Sequence, residues 1–279
     1  MHGQSEAQAV RQSSAGTDIG GRSYGFASLD SNTGGQHALL AAEAALSISY
    51  NGLNQAVMMV SPYDLEDFVL GFSIANGIIS SGSDLYHTEL TQGEGAAWYA
   101  DLHISNRAFW NLKQQRRQLA GSSSCGLCGV EALELALPMN LPPLQPAALP
   151  PAASLHGLRQ RLVAAQQLAR FSGAMHAAAF FDRDGNLLAL REDIGRHNAL
   201  DKLIGALERA GHDTAGGFAV VTSRCGLELL HKVVRAGIST LASLSAPTSL
   251  TVDWARRHCL NLIHVPQRDT PRVYSPGPD

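Results

Sequence analysis

Residues 218–265, FAVVTSRCGLELLHKVVRAGISTLASLSAPTSLTVDWARRHCLNLIHV, decide the fold. Apolar runs at Phe218–Thr222, Thr240–Leu244 and Asn261–Val265 read as strands. Leu227–Ala236 and Ser249–His258, with their helical spacing, read as helices. Strand–helix alternation of this kind predicts parallel strands with helices packed on the sheet.

Working upstream, His197–Ala210 reads as a further helix. Ala174–Phe181 and Leu187–Arg191 read as a hairpin around Asp184-Gly185, and Ser154–Arg170 as helical. Residues 138–151 hold six of the twelve prolines, which marks a semi-rigid linker and a domain boundary. In the first half, Ala45–Ser49 and Gln55–Val60 read as strands joined by an Asn51-Gly52 turn. Ser61-Pro62 reads as the N-cap and first position of a helix carrying Leu65, Phe68, Val69 and Phe72, closed by Gly77. Strands follow near Tyr86–Thr91 and Ala96–Ile104, then a basic helix capped by Ser105 and running through Leu119. The expected organisation is a disordered tail over 1–36, an N-terminal α+β domain over 37–137, a linker over 138–153 and a C-terminal α/β domain over 154–279. The polar, proline-rich end of the chain reads as a tail.

A hydrophobic content of 45% and a net charge of −3, from 21 basic and 24 acidic residues, describe an ordinary globular chain. No field of one sign suits a nucleic acid or a membrane surface. No stretch approaches the ~20 apolar residues of a membrane span, and none resembles a secretory leader. A cytoplasmic location is therefore expected, where structural disulfides are uncommon.

That compartment shapes the reading of four cysteines. Cys225 and Cys259 stand alone and read as small core residues. Cys125 and Cys128 lie in AGSSSCGLCGV, a Gly/Ser-rich stretch expected to be mobile. A CxxC pair can be half of a zinc site, a dithiol redox switch, or a nucleophilic thiol with a helper. Zinc wants four ligands, and no second pair is present. A thioredoxin-type switch wants the pair at a helix start after a first strand. A sulfur carrier needs a thiolate and reach between two macromolecules, and the Gly/Ser loop supplies the reach. Lys113, Arg116 and Arg117 favour the thiolate, while Glu131 and Glu134 oppose it.

A second group of chemistry-bearing residues is His176, Arg191, Glu192, Asp193, Arg196, His197, Asn198, Asp201 and Lys202. One reading is a capped helix, opened by Asp193 or Gly195, with surface ion pairs. The other is a polar pocket for an anionic ligand at strand ends. Ser223 and Arg224, between a strand and a helix, are placed to hold phosphate, and Ser245, Thr248 and Ser249 repeat the arrangement.

These segments carry a resemblance. LGFSIANGIIS, SSCGLCG, GAMHAAAFFDRDGNLLALREDIGRHNALDKLIG and SRCGLELLHKVVRAGISTLASLSAPTSLTVDWA resemble the formate dehydrogenase accessory sulfurtransferase family, FdhD, over about residues 43–275. The resemblance implies a protein that takes sulfur from a cysteine desulfurase and passes it to the molybdenum (or tungsten) bis-guanine-dinucleotide cofactor before that cofactor enters formate dehydrogenase. It implies a C-terminal three-layer domain similar to cytidine deaminase. It makes Cys125 the persulfide carrier and Cys128 its partner thiol. It places cofactor contacts on Val265, Pro266, Gln267, Arg268, Asp269 and Thr270, a segment that a GDP-like nucleotide would also occupy. His176, Arg196, His197, Asn198, Ser223 and Arg224 complete the expected pocket, with no metal ligands. A zinc deaminase needs H-x-E and a later P-C-x-x-C. Here Ala-Ala-Ala follows His176 and the CxxC precedes it, so the fold is expected without that chemistry. Two alternatives remain open: a cofactor-binding chaperone without sulfur chemistry, and a zinc-stabilised binding module. A homodimer is the default expectation for such a chain.

Overall fold

The structure, a computed structural model, describes residues 21–29, 36–121 and 141–277. Cys125, Cys128 and the first residues of the expected linker lie outside the described residues. Arg22–Phe26 (β1) falls within the stretch read as a disordered tail. It forms a strand paired antiparallel with Gln36–Leu40 (β2). Tyr24 and Phe26 supply the aromatic side chains that favour strand geometry there.

The N-terminal sheet contains Ala44–Tyr50 (β3) and Leu53–Val60 (β4). Asn51 and Gly52 both have positive φ, 48° and 77°, the geometry expected of an Asn-Gly hairpin turn. Ala44, Leu46, Ile48 and Tyr50 alternate into the core. Leu65–Ala75 (α1) follows and ends at Gly77, whose φ is +67°. Ser61-Pro62 does not start it; Asp64 occupies the N-cap position. Ser61 is instead drawn into a distant ion pair described below. Leu85–Gln92 (β5) and Ala97–Ile104 (β6) complete the sheet in the order β4-β3-β6-β5, with β3 and β6 parallel. Ser105 caps Asn106–Gly121 (α2) by accepting the Ala108 N–H.

The expected helix over Ser154–Arg170 is three short pieces: Ala152–Leu155 (α3), Leu158–Ala165 (α4) and Ala169–Ser172 (α5). Gly157 breaks the first junction at φ +62°, and Gln166 is extended at the second. The break is held from far along the chain. The Glu192 carboxylate accepts the N–H groups of Gln167, Leu168 and Ala169 at 2.7, 2.9 and 2.9 Å.

The C-terminal sheet is built from His176–Asp182 (β7), Leu187–Asp193 (β8), Gly217–Val221 (β9), Thr240–Ser243 (β10), Asn261–His264 (β11) and Arg272–Ser275 (β12). Arg196–Ala210 (α6), Leu227–Arg235 (α7) and Ser249–Arg257 (α8) connect them. The strand order is β12-β11-β10-β9-β7-β8. The expected parallel pairing holds for β9, β10 and β11. The sheet is nevertheless mixed, because the β7–β8 hairpin and the returning β12 both pair antiparallel. Both faces are covered, which explains the near-continuous apolar strands. Ala178, Phe180, Ala219, Val221, Leu241 and Leu262 share one core with α6, α7 and α8. Ala179, Phe181, Phe218, Val220, Ala242 and Ile263 pack against Leu155, Leu158 and Leu162 of α3 and α4. Each large side chain so buried contributes about 1.5–3 kcal/mol.

The first core also takes in β3, α1 and α2, so the two halves of the chain share it. Helices α1 and α6 cross so closely that a Cβ on Gly71 would strike the Asp201 carbonyl, and one on Gly205 the Asp67 carbonyl. Among the described residues no helix is long and apolar enough to cross a membrane.

Candidate functional site

The segment REDIGRHNALDK, 191–202, separates into an inward and an outward set. Inward, Lys202 Nζ lies 2.7 Å from Asp193 Oδ2 and donates to the carbonyls of Ser61 and Glu192 at 3.0 and 3.3 Å. Asp193 Oδ2 accepts the Ser61 N–H at 3.0 Å, and Oδ1 accepts the Gly195 N–H and Asn198 Nδ2 at 2.8 and 2.9 Å. Asn198 Nδ2 also reaches the Met59 carbonyl at 2.8 Å. Asp201 pairs with Lys232 at 2.7 Å, and Asp67 with Arg191 and Arg209 at 2.7 and 2.8 Å. These charges bind β8 and α6 to α1 and the end of β4, and α6 to α7. Asn198 is part of this strut, with its amide hydrogens spent inside the protein.

Outward, Arg196 and His197 open α6 at the carboxyl end of β8, on the same side of the sheet as the carboxyl ends of the parallel strands, the usual side for a ligand in such sheets. Both meet Glu228, in the first turn of α7. Arg196 Nη2 donates to Glu228 Oε1 at 3.0 Å, and His197 Nε2 lies 3.1 Å from the same oxygen. His176, at the start of β7, pairs in register with Asp193. Partial burial pushes the His176 pKa below its ordinary value, and neighbouring Arg196 adds to that. Ser223 is buried in the turn after β9: its hydroxyl donates to the Arg224 carbonyl, while its own carbonyl accepts Ser243 Oγ. Arg224 is exposed and makes no ion pair among the described residues. Thr248 serves α8 through a capping box with Thr251. Cys225, between these residues, is a core side chain whose thiol is pushed up to about 12, first by burial.

Val265–Thr270 lies elsewhere on the same sheet end. It lines a cleft of about 980 Å³ with His156, Arg159, Gln160 and Val163 on the facing wall. Val265 is buried in the second core, while Gln267, Arg268, Asp269 and Thr270 are exposed. Asp269 pairs with Arg272, and that hydrogen bond holds its carboxyl below the usual range. Arg268 is left as the segment's unpaired cation among the described residues. Arg159 anchors the wall: its Nη2 donates to the carbonyls of Leu244 and Val265 at 2.9 and 3.4 Å, and its buried Nε has no partner among the described residues. Two cations on an exposed segment and its facing wall suit an anionic ligand. Arg159 and Glu228 are the residues that sequence reasoning missed. Glu228 left one signal, an acidic side chain in a first helical turn. Arg159 left none, because its carbonyl partners lie 85 and 106 residues away.

Among the described residues no group of three or more His, Cys, Asp or Glu is arranged to hold a metal ion.

Residues 41–278 match the model of the FdhD/NarQ family. A protein named sulfur carrier protein FdhD from Cupriavidus necator is 42% identical over 229 residues, covering 80% of this chain and 77% of the relative. Another of that name, from Xanthomonas oryzae pv. oryzae, is 45% identical over 240 residues, covering 85% and 84%. The fold is also that of a protein of Desulfotalea psychrophila, whose crystal structure was described as a candidate formate dehydrogenase accessory protein. The TM-score is 0.66 at 20% identity, covering 91% of this chain and 95% of that one. The chain belongs to the FdhD/NarQ family.

Proposed function

We propose that this protein is a cytoplasmic sulfurtransferase that carries sulfur to the cofactor of formate dehydrogenase. The observation that carries the reading is the extent of the family match. Residues 41–278 take in Cys125, Cys128 and Val265–Thr270 together, and the matched relatives are named for sulfur carriage. In this reading the Cys125 thiolate attacks the persulfide of a cysteine desulfurase. The desulfurase leaves as its thiolate, and Cys125 holds the sulfane sulfur as Cys125–S–SH. The molybdenum bis-guanine-dinucleotide cofactor is the acceptor substrate. Its phosphates suit Arg268 and Arg159 in the cleft beside Val265–Thr270. Arg196, His197 and Arg224 form the neighbouring polar crevice. Cys128 is the partner thiol, and two copies of the chain form a homodimer. Formate dehydrogenase is the client.

The test is complementation. A strain lacking its own carrier should regain formate dehydrogenase activity with the wild-type chain and stay inactive with Cys125→Ala. Full activity with Cys125→Ala would leave the chaperone without sulfur chemistry as the better account.

A further inference from the structure

Helix α2 rests on the core by one side and leaves the other to solvent. Ala108 and Leu112 are buried, and Phe109 packs against the same cluster. Arg107, Trp110 and Lys113, three residues apart, share the solvent side. Trp110 is 59% exposed, and the Arg107 side chain 77%. Arg116, also exposed, extends that side by a turn. The 16 residues Asn106–Gly121 carry Arg107, Lys113, Arg116 and Arg117 and no Asp or Glu, in a chain with 24 acidic and 21 basic residues. Arg107 meets a carboxylate only at 3.8 Å, that of Asp84. Arg116 Nη1 donates to the Asn54 carbonyl at 2.8 Å, which pins the helix to β4, and the Lys113 ammonium lies 4.4 Å from the centre of the Phe109 ring. Among the described residues neither Lys113 nor Arg116 has a countercharge. One exposed tryptophan by itself is ordinary. Set among unpaired cations, it has the composition of a protein interface, in which Trp and Arg anchor the partner and the surrounding charges steer the encounter.

We propose that this side of α2 is the docking surface for the sulfur donor, and that the donor presents an acidic patch to it. This rests on the sulfur-carrier reading. Chain length supports the choice of partner. Helix α2 ends at Gly121, and Cys125 is four residues further on. Four residues span at most about 14 Å, whatever path they take. From Lys113 to Gly121 the helix rises about 12 Å. The accepting thiol is therefore tethered within about 26 Å of Lys113, so one partner domain, about 30 Å across, can cover the docking side and still reach it. A protein fits this surface better than a nucleic acid or an anionic membrane. The cations span about three turns around a single indole, and the net charge of −3 opposes an extended polyanion.

The experiment uses the full chain and two donors. One is a purified cysteine desulfurase with cysteine. The other is glutathione persulfide, which has no protein surface to dock. Loading is the gain of one sulfur in intact mass. The readout is the ratio of initial loading rates with subsaturating amounts of the two donors. Trp110→Ala and Lys113→Glu should each lower this preference for the desulfurase about tenfold. In wild type the preference should fall as salt rises, and Lys113→Glu should flatten that dependence. An unchanged preference in either variant overturns the inference and leaves sulfur carriage standing. Equal slowing with both donors does the same, since the helix would then act on the thiol itself. So does a wild type that loads from glutathione persulfide alone. A wild type that loads from neither donor overturns both. Loss of binding to phosphatidylglycerol vesicles or single-stranded DNA in these variants, with the preference intact, gives the surface another occupant and overturns the inference. If a variant misfolds, wild type decides: a preference that salt does not move overturns the inference.

Discussion

Lys202 and Asp193 form an ion pair at 2.7 Å in which neither side chain reaches solvent. The pair stands where β8 turns into α6, and its remaining hydrogen bonds go to Ser61, Gly195, Asn198 and the Glu192 carbonyl. Burial pushes the lysine pKa down, while Asp193 pulls it up. Lys202→Met would leave the Asp193 carboxylate buried without its countercharge. A loss of about 3–5 kcal/mol is expected in urea unfolding, the usual cost of removing one partner of such a pair.

The α1–α6 crossing yields a second prediction. Both glycines face carbonyl groups of the opposite helix, which cannot rotate aside as a side chain would. Gly205→Ala should therefore force the helices apart and cost about 1–3 kcal/mol by the same measurement, as overpacking does. At Gly211, where φ is +65° and a Cβ would meet open space, any cost of Gly→Ala comes from the left-handed backbone alone, about 1–2 kcal/mol.

Legibility in the sequence divides along the same line. The strand–helix alternation, the Asn51-Gly52 turn and the Ser105 cap were readable because each is local: a period, a turn dipeptide, a capping side chain. The true start of α1 was not, since Ser61 is recruited by Asp193 and Lys202, more than 130 residues away. The broken helix over 154–170 was hidden in the same way by Glu192. The polar segment 191–202 was legible as important but not as two populations. Asp193, Asn198 and Lys202 point inward and Arg196 and His197 outward, and only the packing of α6 against α1 and β4 sorts them.

Acid sensitivity should have an identifiable source in His231. Burial pushes its pKa down to about 4, with Arg235 and His258 adding to the effect. An unfolded histidine titrates near 6.5, so the unfolded chain binds the extra proton first as pH falls. The stabilisation from keeping His231 neutral is complete above pH ~6.5 and is lost between there and pH ~4. Asp201, raised by burial to about 6, has the opposite slope over much of this window, so the wild-type curve alone does not isolate His231. The difference between wild type and His231→Asn does. The loss in stability from pH 7 to pH 4.5 should be about 2–3 kcal/mol smaller in the variant.

Cys225 should take no part in sulfur chemistry despite its position beside Arg224 and Glu228. It is 1% exposed, and burial keeps it a thiol at neutral pH. Iodoacetamide should leave it unmodified in the folded chain and modify it in urea. Cys225→Ala should accept sulfur to the wild-type level.

The central claim is that Cys125 receives the sulfur atom. Intact mass spectrometry of the full chain, after incubation with a cysteine desulfurase and cysteine, tests it most directly. Wild type should gain the mass of one sulfur, lost again on treatment with a reducing thiol, and Cys125→Ala should gain nothing. A wild-type chain that stays at its starting mass, or a Cys125→Ala chain that gains sulfur as wild type does, would contradict the account.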